Sequence, residues 1–197
     1  MLKLRKIAVT GNLAAGKSTV CRLLKELGAY ILNSDEIGHL LLLTPTLKKA
    51  IVKLLGNTVF VKGEIDRKKV ASIVFNNQKK LRQLEKLLHP KILKRINKVY
   101  CKIKKENKYR LFVVEMPLLF ETGTEKFFYS VICVTAYKAI CQKRFGKDFK
   151  KRNKKQLSIL QKTKKSDFII ENNQDLKKLK KQVINLYKAL NQEESNE

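Results

Sequence analysis

Tryptophan is absent from this chain, and proline (3), histidine (2) and cysteine (4) are scarce among its 197 residues. Each shortage narrows the possibilities. Cys21, Cys101, Cys133 and Cys141 form no Cys-x-x-Cys pair, and no histidine stands at zinc-ligand spacing from them, which argues against a structural zinc module. Cys133 lies in an apolar strand pattern and Cys21 on a helix face, so buried thiols and a reducing cytoplasm are expected. No apolar run is longer than Leu40–Leu43, far short of a bilayer span, and a strand expected within six residues of the first leaves no room for a signal peptide. No stretch rich in Pro, Gly or Ser marks a linker, and no internal repeat is found. Acidic residues are also few: 17 against 44 basic ones, a net charge of +27. A nucleic-acid partner would favour clustered arginine interleaved with aromatics. Here 36 of the 44 are lysine, spread along the chain beside 13 asparagines, as AT-rich coding would produce. No specific nucleic-acid partner and no membrane are therefore expected, although the charge should steer anionic substrates inward.

What is present is more specific. Gly11-Asn12-Leu13-Ala14-Ala15-Gly16-Lys17-Ser18 fits the pattern G-x-x-x-x-G-K-[ST], directly after the apolar run Ile7-Ala8-Val9 and directly before a helical pattern. A buried strand, a sharp turn and a helix N-terminus make a polyphosphate cradle from backbone amides and the helix dipole. Lys17 would neutralise the outer phosphates, the Ser18 hydroxyl would ligate Mg²⁺, and Thr19 completes the ATP-binding run.

Five continuous apolar runs read as strands covered on both faces: 6–10, 30–32, 110–115, 129–135 and 168–170. Helical patterns occupy 17–27, 35–43, 46–55, 67–74, 78–106, 137–146, 151–164 and 175–190, with His89-Pro90 closing a helical stretch. The alternation predicts an α/β fold, a three-layer phosphate-loop core around a parallel five-stranded sheet. It reads as a single domain with its core at 1–35, 109–144 and 167–190, a helical insertion at about 36–108 and a basic lid at about 145–166.

Asp35 follows the second strand, near where ligands sit in open parallel sheets. It could accept a proton from an acceptor hydroxyl, or cap a helix; both readings stay open. Glu115 ends the third strand and is a candidate Mg²⁺ ligand or a surface acid. Arg144 and Arg152 are set apart from the surrounding lysines because a planar guanidinium matches phosphate oxygens. His89 is a packing or substrate residue, and Pro117-Leu118-Leu119-Phe120-Glu121 is core or the wall of a substrate cleft.

Together these residues resemble the dephospho-CoA kinase family along nearly the whole chain. The likeness rests on Thr10-Gly11…Gly16-Lys17-Ser18-Thr19, Leu27-Gly28-Ala29, Ile31-Leu32-Asn33-Ser34-Asp35, Gly63-Glu64-Ile65-Asp66-Arg67, Val74-Phe75, Leu88-His89-Pro90, Met116–Glu121, Gln156 and Ser166–Asn172. The resemblance implies ATP-dependent, Mg²⁺-assisted phosphorylation of the ribose 3′-hydroxyl of dephospho-CoA by a cytoplasmic monomer or weak homo-oligomer. Asp35 would be the base, Lys17 and Arg144 the phosphate-binding cations, and His89, Pro117, Leu118, Leu119 and Glu121 substrate contacts. The chain departs from the family at Asn12 and Ala14, where glycine is usual, and at Asn33, where the first acid of Asp-x-Asp is replaced. It also departs in the lid, where Lys147 stands near a missing second arginine. Its loop is similar to that of deoxynucleoside kinases, the nearest rival, but Glu115-Met116-Pro117 replaces their Glu-Arg-Ser element. A basic nucleic-acid-binding protein without catalysis is the rival from another class.

Overall fold

The computed structural model describes residues 3–147, 149 and 156–192. Within them the chain forms β1 (Arg5–Gly11), α1 (Lys17–Glu26), β2 (Tyr30–Asn33), α2 (Ser34–Leu42), α3 (Pro45–Leu55), β3 (Phe60–Val61), β4 (Glu64–Ile65), α4 (Arg67–Phe75) and α5 (Gln78–Glu106). It continues with β5 (Leu111–Glu115), β6 (Ser130–Thr135), α6 (Lys138–Phe145), α7 (Ile159–Lys164), β7 (Phe168–Glu171) and α8 (Leu176–Gln192). Two compact units result: Met1–Asn33 with Tyr100–Glu197, and Ser34–Val99.

The first unit is built on a five-stranded sheet in the order β2-β5-β1-β6-β7, with every pairing parallel. Parallel strands are covered on both faces, so their apolar residues run on without alternating. One core gathers Ile7 and Val9 of β1, Leu111 and Val113 of β5 and Ile132 and Val134 of β6 with Val20, Leu23 and Leu24 of α1 and Leu179, Val183, Leu186 and Leu190 of α8. On the opposite face, Ala8, Phe112, Val114 and Cys133 are wholly buried, and α7 packs against β1 and β6. Burying a large aliphatic side chain stabilises by about 1.5–3 kcal/mol, so this double-sided core dominates the unit's stability. Edge strand β2 is fixed by aromatic packing, with Tyr30 stacked on Phe112 and edge-on to Tyr109, both at 5.4 Å. At the other edge, the Gln182 carboxamide accepts from Glu171 N (3.1 Å) and donates to Glu171 O (2.9 Å), occupying strand groups that would otherwise invite another chain.

The second unit is helical apart from the β3–β4 hairpin. Leu47, Ile51 and Leu55 of α3 bury against Val59, Ile65, Val74 and Leu84. Asp66 caps α4 by accepting from Lys68 N and Lys69 N. Helix α5 passes through Pro90 without stopping, contrary to the expectation that His89-Pro90 closes a helical stretch. Proline removes one backbone donor, and Pro90 is exposed, so water can serve the carbonyl left over.

All five expected strands are present within one or two residues of their predicted limits. The short hairpin was not anticipated. Helix α7 starts at Ile159 rather than at 151, because Ser158 adopts an extended conformation and forms a reciprocal capping box with Gln161. Residues 151–155 lie outside the described residues. Among the described residues, no helix is long and apolar enough to cross a membrane.

Candidate active site

The phosphate-loop pattern occupies the turn from β1 into α1, as expected. Gly11 (φ +140°) closes the strand so tightly against β6 that a Cβ there would sit 2.1 Å from Val134 O. Gly16 (φ +100°) opens the helix, and a Cβ there would meet the Asn172 carboxamide at 2.1 Å. Glycine is required at both places on two counts, handedness and space. Ala14 adopts φ +57°, a left-handed conformation that costs a non-glycine residue about 1–2 kcal/mol. The loop therefore holds strain at Ala14.

Lys17 is buried, and its ammonium donates to Gly11 O (3.2 Å) and Asn12 O (2.9 Å), arching over the loop it serves. The side-chain oxygen of Asn12 is buried without a hydrogen-bond partner among the described residues, an orphaned polar atom inside the cradle. Ser18 Oγ donates to Glu115 Oε1 at 2.9 Å. Register explains the meeting: Glu115, at the tip of β5, lies opposite Val9 of β1 and Asn33 of β2. The Asn33 carboxamide donates to the second Glu115 oxygen at 3.3 Å. Asn33 is thus a neutral donor that fixes the carboxylate, where an acid would repel it.

A serine hydroxyl and one carboxylate are hard oxygen donors, the partial set that Mg²⁺ completes with phosphate oxygens and water. Among the described residues, no group of three or more His, Cys, Asp or Glu side chains forms a separate metal cage. The Ser18–Glu115 pair fits Mg²⁺ on these grounds. Beneath it, burial pushes the Cys21 thiol up, with the Glu115 carboxylate adding to the effect and Lys17 opposing it. Cys21 therefore stays protonated and unreactive.

Arg144, near the end of α6, is exposed and directs its guanidinium at two carbonyls, Ala14 O and Asn172 O, each at 3.5 Å. Asn172, just past β7, is buried and donates to Ala15 O at 2.8 Å. Asn172 closes the run Ser166–Asn172 that carries part of the family resemblance, but its partner could not be read from sequence, since the contact spans 157 residues. The β6 and β7 ends also meet each other, with Asn173 Oδ1 accepting from Tyr137 N at 2.7 Å. A cleft of about 380 Å³ opens there, lined by Tyr137, Ile169, Glu171, Asn173, Gln174 and Gln182. Of these, only Ile169 and Glu171 lie in a run noted from sequence, Ser166–Asn172, and none was given a site role there.

The loop after β5 divides by burial. Pro117 and Leu118 are partly exposed, whereas Leu119 is wholly enclosed, so its side chain backs the loop and presents nothing to a ligand. Of the two readings of this segment, core or cleft wall, the burial of Leu119 fits the first. Glu121 is engaged by Lys162 at 2.9 Å. In the second unit, Asp35 lies in the first turn of α2, where a carboxylate complements the positive end of the helix dipole. His89 is half-buried within α5, and burial lowers its pKa against an opposing pull from Glu85. Arg152 lies outside the described residues.

Comparison with known proteins gives a consistent result. The family model described as CoaE, Dephospho-CoA kinase, matches residues 5–178. A dephospho-CoA kinase of Protochlamydia amoebophila is 40% identical over 199 residues, covering 96% of this chain and 98% of that one. The solved dephospho-CoA kinase of Campylobacter jejuni superposes with a TM-score of 0.71 at 31% identity, covering 95% of this chain and 97% of that one. A crystal structure from Thermus thermophilus gives a TM-score of 0.79 at 25% identity, with 95% and 98% covered.

Proposed function

The chain belongs to the dephospho-CoA kinase family, a family of ATP-dependent phosphotransferases, and from that premise we propose that it transfers the γ-phosphoryl group of ATP to the ribose 3′-hydroxyl of dephospho-CoA. The observation that carries this reading to the level of residues is the Ser18–Glu115 hydrogen bond at the mouth of the phosphate loop. It joins the one hydroxyl and the one carboxylate that a nucleotide-bound Mg²⁺ needs from the protein.

The roles follow from chemistry. Backbone amides of residues 11–18 and the α1 dipole hold the β- and γ-phosphates. Lys17 exchanges its carbonyl partners, Gly11 O and Asn12 O, for phosphate oxygens, so its charge moves a short way and needs little reorganisation. Arg144, held loosely at 3.5 Å from two carbonyls, is available to the transferring charge. Bound Mg²⁺ would supply charge neutralisation across the phosphates. Asp35, two residues beyond Asn33, would take the proton of the attacking hydroxyl as the oxygen–phosphorus bond forms and ADP leaves.

The cleft past β6 and β7 suits the nucleobase. It runs along the edge of β7, from Ile169 and Glu171 to Asn173 and Gln174 just past the strand's carboxyl end, and offers an exposed tyrosine ring among amide side chains. His89, Pro117 and Leu118 remain the proposed acceptor contacts, and the segment 36–108 the body that carries much of the acceptor. Residues 145–166 remain the proposed lid, with α7, which packs against β1 and β6, as its anchored end; 148 and 150–155, Arg152 among them, lie outside the described residues. The proposal includes a cytoplasmic protein that works without nucleic acid or membrane, as a monomer or weak homo-oligomer.

A coupled assay of ADP formation tests the reading. With ATP and Mg²⁺, dephospho-CoA should drive turnover and deoxynucleosides should not. Turnover with deoxynucleosides alone would transfer the chain to the rival suggested by its loop.

A further inference from the structure

Lys162 lies in one of the most basic stretches of the chain, yet its side chain is fully buried. Its ammonium donates to Pro117 O at 2.8 Å and to Glu121 Oε1 at 2.9 Å. The same Glu121 oxygen accepts from Leu157 N at 2.8 Å, and the other Glu121 oxygen is buried without a hydrogen-bond partner among the described residues. Pro117 O is shared: Thr10 Oγ1, one residue before the phosphate loop, also donates to it at 3.4 Å. Helix α7 is held in turn by Ser166 Oγ donating to Lys162 O at 2.8 Å. One buried cation therefore ties both ends of the loop 117–121 to α7, and through Pro117 to the strand that leads into the phosphate loop.

Burying a charge is costly, and an apolar pair of the same volume would serve stability equally well or better. Retaining an ion pair here calls for an advantage other than stability. Its geometry offers one, since a lysine and a carboxylate fix direction as well as distance. We propose that Lys162 is a positioning residue for the acceptor side: acting through Pro117 O and Glu121, it sets the place of the Pro117–Leu118 wall relative to the phosphate loop. The burial-raised thiol of Cys133, with a pKa of about 11, lies within the electrostatic reach of Lys162 and is neutral, leaving Glu121 as the counter-charge. The inference rests on the proposed reading of residues 117–121 as an acceptor wall.

The test is a split of Michaelis constants. Wild type first establishes which acceptor is used, so that a failure of the dephospho-CoA reading appears there and not in the variants. On that acceptor, Lys162→Met should raise the acceptor KM about tenfold or more while the ATP KM stays within about threefold, and Lys162→Arg should recover part of the loss. Should Lys162→Met not fold, Lys162→Met combined with Glu121→Met removes the stranded charge and should fold. That double variant should still show the raised acceptor KM. An unchanged acceptor KM in either folded variant, or an equal rise in both constants, would overturn the proposal and leave the pair a purely structural one.

Discussion

The two compact units solve the same problem with different materials. In the first, the proposed functional groups are held by long-range contacts that are buried or partly buried: Ser18 by Glu115, Asn172 by Ala15, Lys162 by Glu121. In the second, the polar contacts are short-range or exposed, such as the Asp66 cap of α4 and the Lys48–Glu64 pair at 2.7 Å. The first unit is a preorganised electrostatic site on a sheet buried on both faces. The second is a small helical body with one modest core. The difference teaches that the phosphate-donor half of the proposed reaction is written into backbone geometry and register, whereas the proposed acceptor half is shared between the loop after β5 and a few side chains borne on helices.

Substitutions at the two proposed reaction centres should break the comparison most visibly. Lys17→Met removes the loop's only side-chain cation and should lower kcat/KM by about a thousandfold or more, measured by coupled ADP release. Asp35→Asn, in the second unit, should lower kcat by roughly two powers of ten while ATP affinity, followed by calorimetry, stays nearly intact. Loss of ATP binding in that variant would place Asp35 on the donor side and dissolve the division drawn here.

Core truncations compare the units in stability. Leu24→Ala and Ile51→Ala each empty a fully buried site, one per unit, and should cost about 2–5 kcal/mol in denaturant unfolding. The second should leave ATP affinity less affected than the first. Asn172→Ala should weaken ATP binding about tenfold, because it strands Ala15 O and loosens the turn against Gly16. An unchanged affinity would reduce Asn172 to a packing role.

The smallest effect concerns pH. Burial holds the His89 imidazole below its usual pKa, so the unfolded chain binds the proton first as pH falls. The contribution of His89 is complete above the ordinary value of 6.5 and is lost as pH drops below it toward the depressed folded value. Stability of the wild type should thus decline slightly on acidification in that window. His89→Gln should flatten the decline, as thermal melts across pH 5–7 would reveal.

Much of the first unit was legible because its signals are local. A continuous apolar strand, two glycines at fixed spacing and a following helix predict the cradle, and Glu115 at a strand tip predicts its partner. The hairpin β3–β4 was not legible: each strand has two residues, and Phe60 and Val61 are exposed, so no periodicity exists to read. The contacts of Asn172, whose motif position was noted, and of Lys162 were hidden for another reason. Their roles come from partners 157 and 45 residues away, and Lys162 sits among lysines that face solvent. Burial, not residue type, sets it apart, and burial of one lysine within a basic run leaves no trace in composition. Asn33 was noted as a departure from the family, but its donation to Glu115 depends on the β2–β5 register.

The central claim is that this phosphate loop delivers the terminal group of ATP to a ribose hydroxyl. Following the purified chain with ATP, Mg²⁺ and dephospho-CoA by ³¹P NMR tests it most directly. The account predicts that ADP appears together with a new phosphomonoester on the ribose 3′-oxygen, in equal amounts. ADP accompanied only by inorganic phosphate, with dephospho-CoA unchanged, would contradict it.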